Sequence, residues 1–210
     1  MNQSLFNALS QIRLLPVVVT EKKDDALPLA RALSAGGLPC AEITYRTQAA
    51  SACLKAISRE MPDMLLGAGT VLSCAQVDDA MANGASFIVT PGFNPKVVEY
   101  CVDRKIPIIP GINNPTGVEA ALSLGLDVVK FFPAEASGGV AMLKAMSAPY
   151  TQVRFVPTGG ISPANLSSYL ALPCVLACGG SWMVKSDWIA QGQFDRIRDV
   201  TREAVNLCTR

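Results

Sequence analysis

The chain has 210 residues, half of them hydrophobic, with 18 basic and 17 acidic side chains and a formal charge of +1. That length can bury roughly 70% of its unfolded surface in one sizeable core, and the near-neutral balance gives no reason to expect nucleic acid or an anionic membrane as partner. Histidine is absent, which removes the commonest zinc ligand, the commonest neutral-pH base and every Ser-His or Cys-His arrangement.

Short apolar, β-branched runs alternate with stretches of helical character, the pattern of β-α units around a parallel sheet. A strand over Leu15–Thr20 precedes a helix over Asp24–Ala35, and Cys40–Thr44 precedes Gln48–Glu60. Leu65–Ala68 leads to Ser73–Ala82, Phe87–Thr90 to Pro95–Asp103, and Ile108–Pro110 to Thr116–Ser123. The last three strands, Val128–Phe132, Arg154–Pro157 and Val175–Cys178, lead to helices near Val140–Ala148, Ala164–Leu170 and Phe194–Leu207. Gly36, Gly84 and Gly125 stand where C-terminal glycines belong, and Ser73 and Thr116 are candidate N-caps. Eight β-α units in about 200 residues predict an α/β fold of the (β/α)8 TIM-barrel type, with chemistry where strands end and β-α loops begin.

Glycine and proline are scattered at turn-like places and mark no linker, so residues 1–210 are expected to form a single domain. Met1–Leu15 lacks a cationic start followed by a long apolar core, and no apolar run reaches the ~18 residues of a membrane span. Seven cysteines, at 40, 53, 74, 101, 174, 178 and 208, form no C-x-x-C pair. The N-terminal pattern and the absence of a long apolar run lead to the expectation of a cytoplasmic protein, and an odd cysteine count in such a chain argues for thiols.

Glu42 is an acid inside the apolar strand Cys40–Thr44, on one face with Cys40 and Thr44. Lys130 lies in DVVKFFP (Asp127–Pro133), sharing a face with Val128 and Phe132. Both would enter the barrel interior from different strands. Burial disfavours the charged form of an amine and so makes it a usable nucleophile. A carboxylate beside it could carry the protons that Schiff-base aldol chemistry moves. The plainer alternative for both is a structural ion pair, with Arg46 a second possible partner of Glu42.

Arg46, at a strand-to-loop junction, offers a planar fork for a carboxylate, and Thr70 stands at the end of strand three beside it. LGAGTV (Leu66–Val71) lacks the full G-x-G-x-x-G and its acid, so it is not read as a dinucleotide site. Pro91 is a rim residue placed to pack on substrate, as is Phe132. Two glycine-rich turns, VPTGGIS (Val156–Ser162) and ACGGSW (Ala177–Trp182), follow the last two strands, where barrels commonly bind phosphate. Gly159, Gly160, Gly180 and Ser181 are the candidate cradle, with Thr158 a candidate contact for substrate hydroxyls.

Together EITYRT (Glu42–Thr47), GAGTV (Gly67–Val71), KFFPAE (Lys130–Glu135), PTGGIS (Pro157–Ser162) and GGSW (Gly179–Trp182) resemble the 2-keto-3-deoxy-6-phosphogluconate (KDPG) aldolase family, also active as 4-hydroxy-2-oxoglutarate (KHG) aldolase, along nearly the whole chain. The resemblance implies a class I enzyme in which Lys130 forms an imine with pyruvate, Glu42 moves protons, and Arg46 and Thr70 hold the pyruvate carboxylate. It implies that the Thr158–Gly160 turn and Ser181 meet a distal phosphate, that no cofactor or metal takes part, and that the products are pyruvate and glyceraldehyde 3-phosphate. It implies a homotrimer as well. Tyr45 departs from the family pattern, where leucine is common, and so does the loop Gly111–Gly117. A 2-keto-3-deoxy-6-phosphogalactonate aldolase is the neighbouring alternative, and a non-catalytic pyridoxal phosphate carrier a remote one.

Overall fold

The computed structural model describes residues 3–208. Its strands are β1 (Leu14–Val18), β2 (Cys40–Thr44), β3 (Leu65–Gly69), β4 (Phe87–Val89), β5 (Ile108–Ile109), β6 (Gly111–Ile112), β7 (Val128–Phe131), β8 (Arg154–Pro157) and β9 (Cys178–Gly180). All pairings are parallel. One sheet runs β5-β4-β3-β2-β1-β9 and the other β6-β7-β8.

The register of the first sheet brings Val17 opposite Glu42 and Glu42 opposite Gly67. In the second, Lys130 lies between Gly111 and Val156. Only Pro110 separates β5 from β6, and the carbonyls on the two sides of the Ile109–Pro110 bond serve different sheets: Ile109 O accepts from Thr90 N, and Pro110 O from Lys130 N. Isolated parallel bridges, Phe155 with Val175 and Thr158 with Gly179, join the β8 segment to the β9 segment. β1 and β2 are buried along their whole length, as expected of parallel strands covered on both faces.

Helices α1 (Gln3–Ile12), α2 (Ala26–Ala35), α3 (Ala50–Glu60), α4 (Cys74–Ala82), α5 (Pro95–Asp103), α6 (Pro115–Ser123), α7 (Gly139–Ser147), α8 (Leu166–Leu170), α9 (Ser186–Ala190) and α10 (Phe194–Cys208) connect the strands and flank them. None of the described helices is long and apolar enough to cross a membrane. α1 was not anticipated, although Leu5, Phe6 and Leu9 repeat at helical spacing and are buried. Arg13, just after α1, adopts a positive φ of 61°. Its guanidinium donates to Leu170 O and Cys208 O, tying the chain start to the ends of α8 and α10.

Three local expectations need correction. The last of the eight expected strands, Val175–Cys178, lies instead at Cys178–Gly180 as β9: the pairing with β1 engages the glycines, and the more apolar Val175 makes only its single bridge. The N-cap of α6 is Asn114, whose Oδ1 accepts from Gly117 N at 2.9 Å, with Pro115 in the first turn where its missing N–H is harmless; Thr116 is already helical. After α2 the left-handed residue is Gly37, at φ +90°, while Gly36 stays right-handed. Ser73 does cap α4, accepting from Gln76 N, and Gly84 and Gly125 do have positive φ.

Candidate active site

Because every pairing is parallel, all strands end on the same side, and side chains from six strand ends gather there. Lys130 Nζ, from β7, donates to Glu42 Oε1, from β2, at 3.2 Å. The two side chains are 4% and 1% exposed, so this ion pair is almost wholly withdrawn from water. The Phe132 ring, centred 5.2 Å from Nζ, faces the ammonium. Along β2, the neighbours of Glu42 on its face, Cys40 and Thr44, turn their polar atoms to Leu14 O and Val18 O of β1.

Glu42 fits because β3 is bare beside it. A Cβ on Gly69 would lie 2.1 Å from Glu42 Oε1, and one on Gly67 would lie 2.4 Å from the Phe87 ring. The Gly67–Gly69 run is therefore a close-packing device. Directly after it, Thr70 takes a φ of +55°, uncommon for a β-branched residue and typical of functional positions. Its Oγ1 accepts from Arg46 Nε at 3.2 Å. Arg46 and Thr70 thus meet as the sequence suggested, the guanidinium remaining exposed to the cleft.

Tyr45, next to Arg46 in the sequence, is absent from the walls of that cleft. Its hydroxyl donates to Asp79 Oδ2 on α4 at 2.6 Å, and Asp79 Oδ1 accepts from Ser51 and Asn83. Burial first, and then the hydrogen bond and charge of Asp79, push the phenol well above its ordinary value. It is a structural strut next to Arg46.

A cleft of about 720 Å³ opens over the strand ends. Its walls include Arg46, Phe132, Thr158, Gly159, Gly160, Gly180 and Ser181, bringing seven of the expected residues together. Lys130, Glu42 and Thr70 are not on its surface; Thr70 joins through Arg46. Pro91 is not brought to this cleft. Its carbonyl instead lies 2.4 Å from where a Cβ on Gly111 would be, next to the residue paired with Lys130.

Gly159 and Gly160 have φ of +101° and +79°, a conformation that side chains other than glycine adopt at a cost. Gly179 leaves room for the Thr158 side chain, whose Oγ1 would lie 2.3 Å from an added Cβ, and Gly180 leaves room for the Trp182 ring. Trp182, Lys185 and Asp187 also line the cleft and were not anticipated. Lys185 and Asp187 belong to the α9 region, a five-residue helix too short for periodicity to reveal. The lysine is laid over the Trp188 ring at 4.9 Å.

A buried lysine–carboxylate pair beneath a glycine-lined cleft, at the strand ends of a parallel α/β fold, has the parts of an aldolase that works through an amine. The chain belongs to the KDPG and KHG aldolase family, whose model matches residues 5–200. It is 52% identical over 204 residues to the 2-dehydro-3-deoxy-phosphogluconate aldolase of Treponema pallidum, covering 97% of each chain. Its fold matches the KDPG aldolase of Legionella pneumophila, a crystal structure with pyruvate captured at low pH as a covalent carbinolamine intermediate, with a TM-score of 0.92 and 39% identity over 95% of this chain and 97% of that one. The 2-keto-3-deoxy-6-phosphogluconate aldolase of Zymomonas mobilis, solved with 3-phosphoglycerate, matches with a TM-score of 0.88 and 40% identity, over 96% and 95% of the two chains.

Proposed function

We propose that this protein is a class I aldolase that reversibly cleaves 2-dehydro-3-deoxy-6-phosphogluconate to pyruvate and glyceraldehyde 3-phosphate, and 4-hydroxy-2-oxoglutarate to pyruvate and glyoxylate, through an imine on Lys130. The observation that carries the reading is the 3.2 Å Lys130–Glu42 pair buried under the cleft, in a chain whose relatives are KDPG aldolases.

In this mechanism Glu42 takes a proton from the lysine, and the neutral amine adds to the substrate's C2 carbonyl to give a carbinolamine. Glu42 returns the proton to the departing hydroxyl, water leaves, and the iminium remains. Removal of the C4 hydroxyl proton breaks the C3–C4 bond, the electron pair flows into the iminium, and the aldehyde is released. Protonation of the resulting enamine at C3 and hydrolysis return pyruvate and the free amine. The iminium is the electron sink, so no cofactor or metal is required. Arg46 and Thr70 hold the 2-oxo acid's carboxylate, with Phe132 and Thr158 along the substrate chain and Pro91 behind the strand ends. Gly159, Gly160, Gly180 and Ser181 hold the phosphate through backbone N–H groups and the serine hydroxyl. Support for a phosphate-binding turn comes from the positive φ of both turn glycines, and support for a phosphorylated substrate from the similar Zymomonas mobilis aldolase, solved with 3-phosphoglycerate.

The same proposal includes a single domain closed into a (β/α)8 barrel. Two observations support closure: the isolated bridges between the β8 and β9 segments, and Pro110, whose two sides serve both sheets. It further includes a homotrimer, readable by light scattering, and a cytoplasmic setting, with which the seven free thiols agree. The 2-keto-3-deoxy-6-phosphogalactonate alternative would use the same imine and is separated by comparing kcat/KM. Incubation with pyruvate and borohydride tests the core of the reading. The peptide containing Lys130 should gain the mass of a reduced pyruvate adduct, and an unchanged mass would overturn the mechanism.

A further inference from the structure

Behind the Gly159–Gly160 turn, on the side away from the cleft, two residues that play no part in the mechanism above are joined. Tyr169, on α8, has no exposed surface, yet its ring carries a hydroxyl that needs a partner when buried. That hydroxyl makes a short hydrogen bond to Glu135 Oε1. Burial, and then this bond and the carboxylate's charge, raise the phenol well above its ordinary value, so it stays a donor. Gly139, at φ +61°, leaves space for the contact: a Cβ there would lie 3.1 Å from Glu135 Oε1 and 3.4 Å from the Tyr169 oxygen.

Glu135 is in turn fastened to the glycine turn. Its N–H donates to Gly159 O at 3.1 Å, and the preceding N–H, of Ala134, donates to Thr158 O at 2.8 Å. Its Cβ and Cγ lie 2.6 Å from where a Cβ on Gly160 would be, so the stem of the side chain covers the back of the turn. From the other side Asn165 Nδ2 donates to Gly160 O at 3.0 Å, while its Oδ1 accepts from Ser162 N at 2.8 Å. Among the described residues neither the Gly159 nor the Gly160 N–H donates to a backbone carbonyl, and both glycines line the cleft.

We propose that Tyr169 and Glu135 are positioning residues for phosphate: they brace the Gly159–Gly160 turn, pull the Glu135 carboxylate back from the anion, and thereby set the preference for phosphorylated over unphosphorylated substrate. This rests on the reading of that turn as the phosphate cradle. With the hydroxyl removed, the turn loosens and a negative charge is free to swing toward the phosphate, which disfavours phosphate binding and leaves the Lys130 end of the cleft unaltered.

The test compares the full-length protein with Tyr169→Phe, Glu135→Ala and Glu135→Gln on 2-dehydro-3-deoxy-6-phosphogluconate and on 4-hydroxy-2-oxoglutarate, which has no phosphate. Tyr169→Phe is expected to raise KM for the phosphorylated substrate roughly tenfold, the loss associated with one charge-assisted hydrogen bond. Its kcat on that substrate and both constants for 4-hydroxy-2-oxoglutarate should stay within about twofold. Glu135→Ala removes the brace and the charge together and leaves the buried Tyr169 hydroxyl without its acceptor, so it should raise KM for the phosphorylated substrate alone but by less than Tyr169→Phe, and Glu135→Gln, which keeps an acceptor without the charge, should restore most of the affinity. Equal losses on both substrates, or no loss on either, would overturn the brace. If the unmutated protein shows equal kcat/KM on both substrates and inorganic phosphate does not compete, the cradle reading itself fails, and the brace with it.

Discussion

Lys130 Nζ and Glu42 Oε1 stand 3.2 Å apart with almost no exposed surface, and each depends on the other to be buried at all. Removing one partner of such a pair leaves an uncompensated charge, at a cost of about 3–5 kcal/mol, whereas replacing both by neutral groups is often nearly neutral. Lys130→Met should therefore abolish pyruvate trapping and destabilise the fold, and adding Glu42→Gln should recover most of the lost stability. Urea unfolding of the two single mutants and the double mutant checks this. Additive losses would show that the charges do not support one another.

The bare surface of β3 next to Glu42 makes Gly69→Ala an indirect probe of the proton carrier. An added methyl would meet Oε1 at 2.1 Å, so the carboxylate must move from Lys130 or the strands must part. Overpacking of this kind costs about 1–3 kcal/mol. General acid–base assistance is worth about 10²–10⁴-fold, and kcat should fall toward the lower end of that range. A Gly69→Ala enzyme with unchanged kcat would show that the position of Glu42 does not limit the reaction.

Lys130 and Glu42 were legible because a charge in an apolar strand is conspicuous and the period of two assigns it a face. The glycine turns were legible through their place after the last two strands. The last strand is not legible at its true position because Val175-Leu-Ala is the best strand former locally, while the segment that pairs is held by its neighbours despite two glycines. Tyr169 and Glu135 could not be seen: they meet across 34 residues of sequence, and neither residue type is unusual in its own element. Pro91 was judged from its turn, which shows a rim position but not whether its carbonyl or its ring faces the site.

Among the described residues Arg46 has one side-chain hydrogen-bond partner, Thr70 Oγ1, engaged by Nε, which leaves both terminal nitrogens of the guanidinium to meet a carboxylate. A lysine there keeps the charge and loses the fork. Arg46→Lys should raise KM for pyruvate in the condensation direction about tenfold, as expected when a bidentate charged contact becomes monodentate. Since the carboxylate is common to both substrates, the increase should be the same with and without phosphate. A defect confined to phosphorylated substrate would place Arg46 at the other end of the cleft.

The thiols give a pH dependence whose sign follows from burial. Cys53 is pushed up from 9.0 to about 11, mainly by burial and then by Asp25, against a smaller opposing effect of Lys23. Cys101 is pushed to about 12 by burial, with Cys74 and Asp78 adding to it. Above pH 9 the unfolded chain loses these protons while the folded chain keeps them, so the native state binds more protons and stability falls as pH rises. The contribution is intact below pH 9, and for Cys53 its loss extends to about pH 11. Thermal melts should show Tm decreasing over that window, and Cys53→Ala should have a shallower decrease. At neutral pH a disulfide reagent should modify the half-buried Cys74 and Cys174 first, because the buried thiols supply neither access nor thiolate. Rapid reaction of Cys53 or Cys101 in the folded protein would show that the helices over them open far more readily than their packing implies.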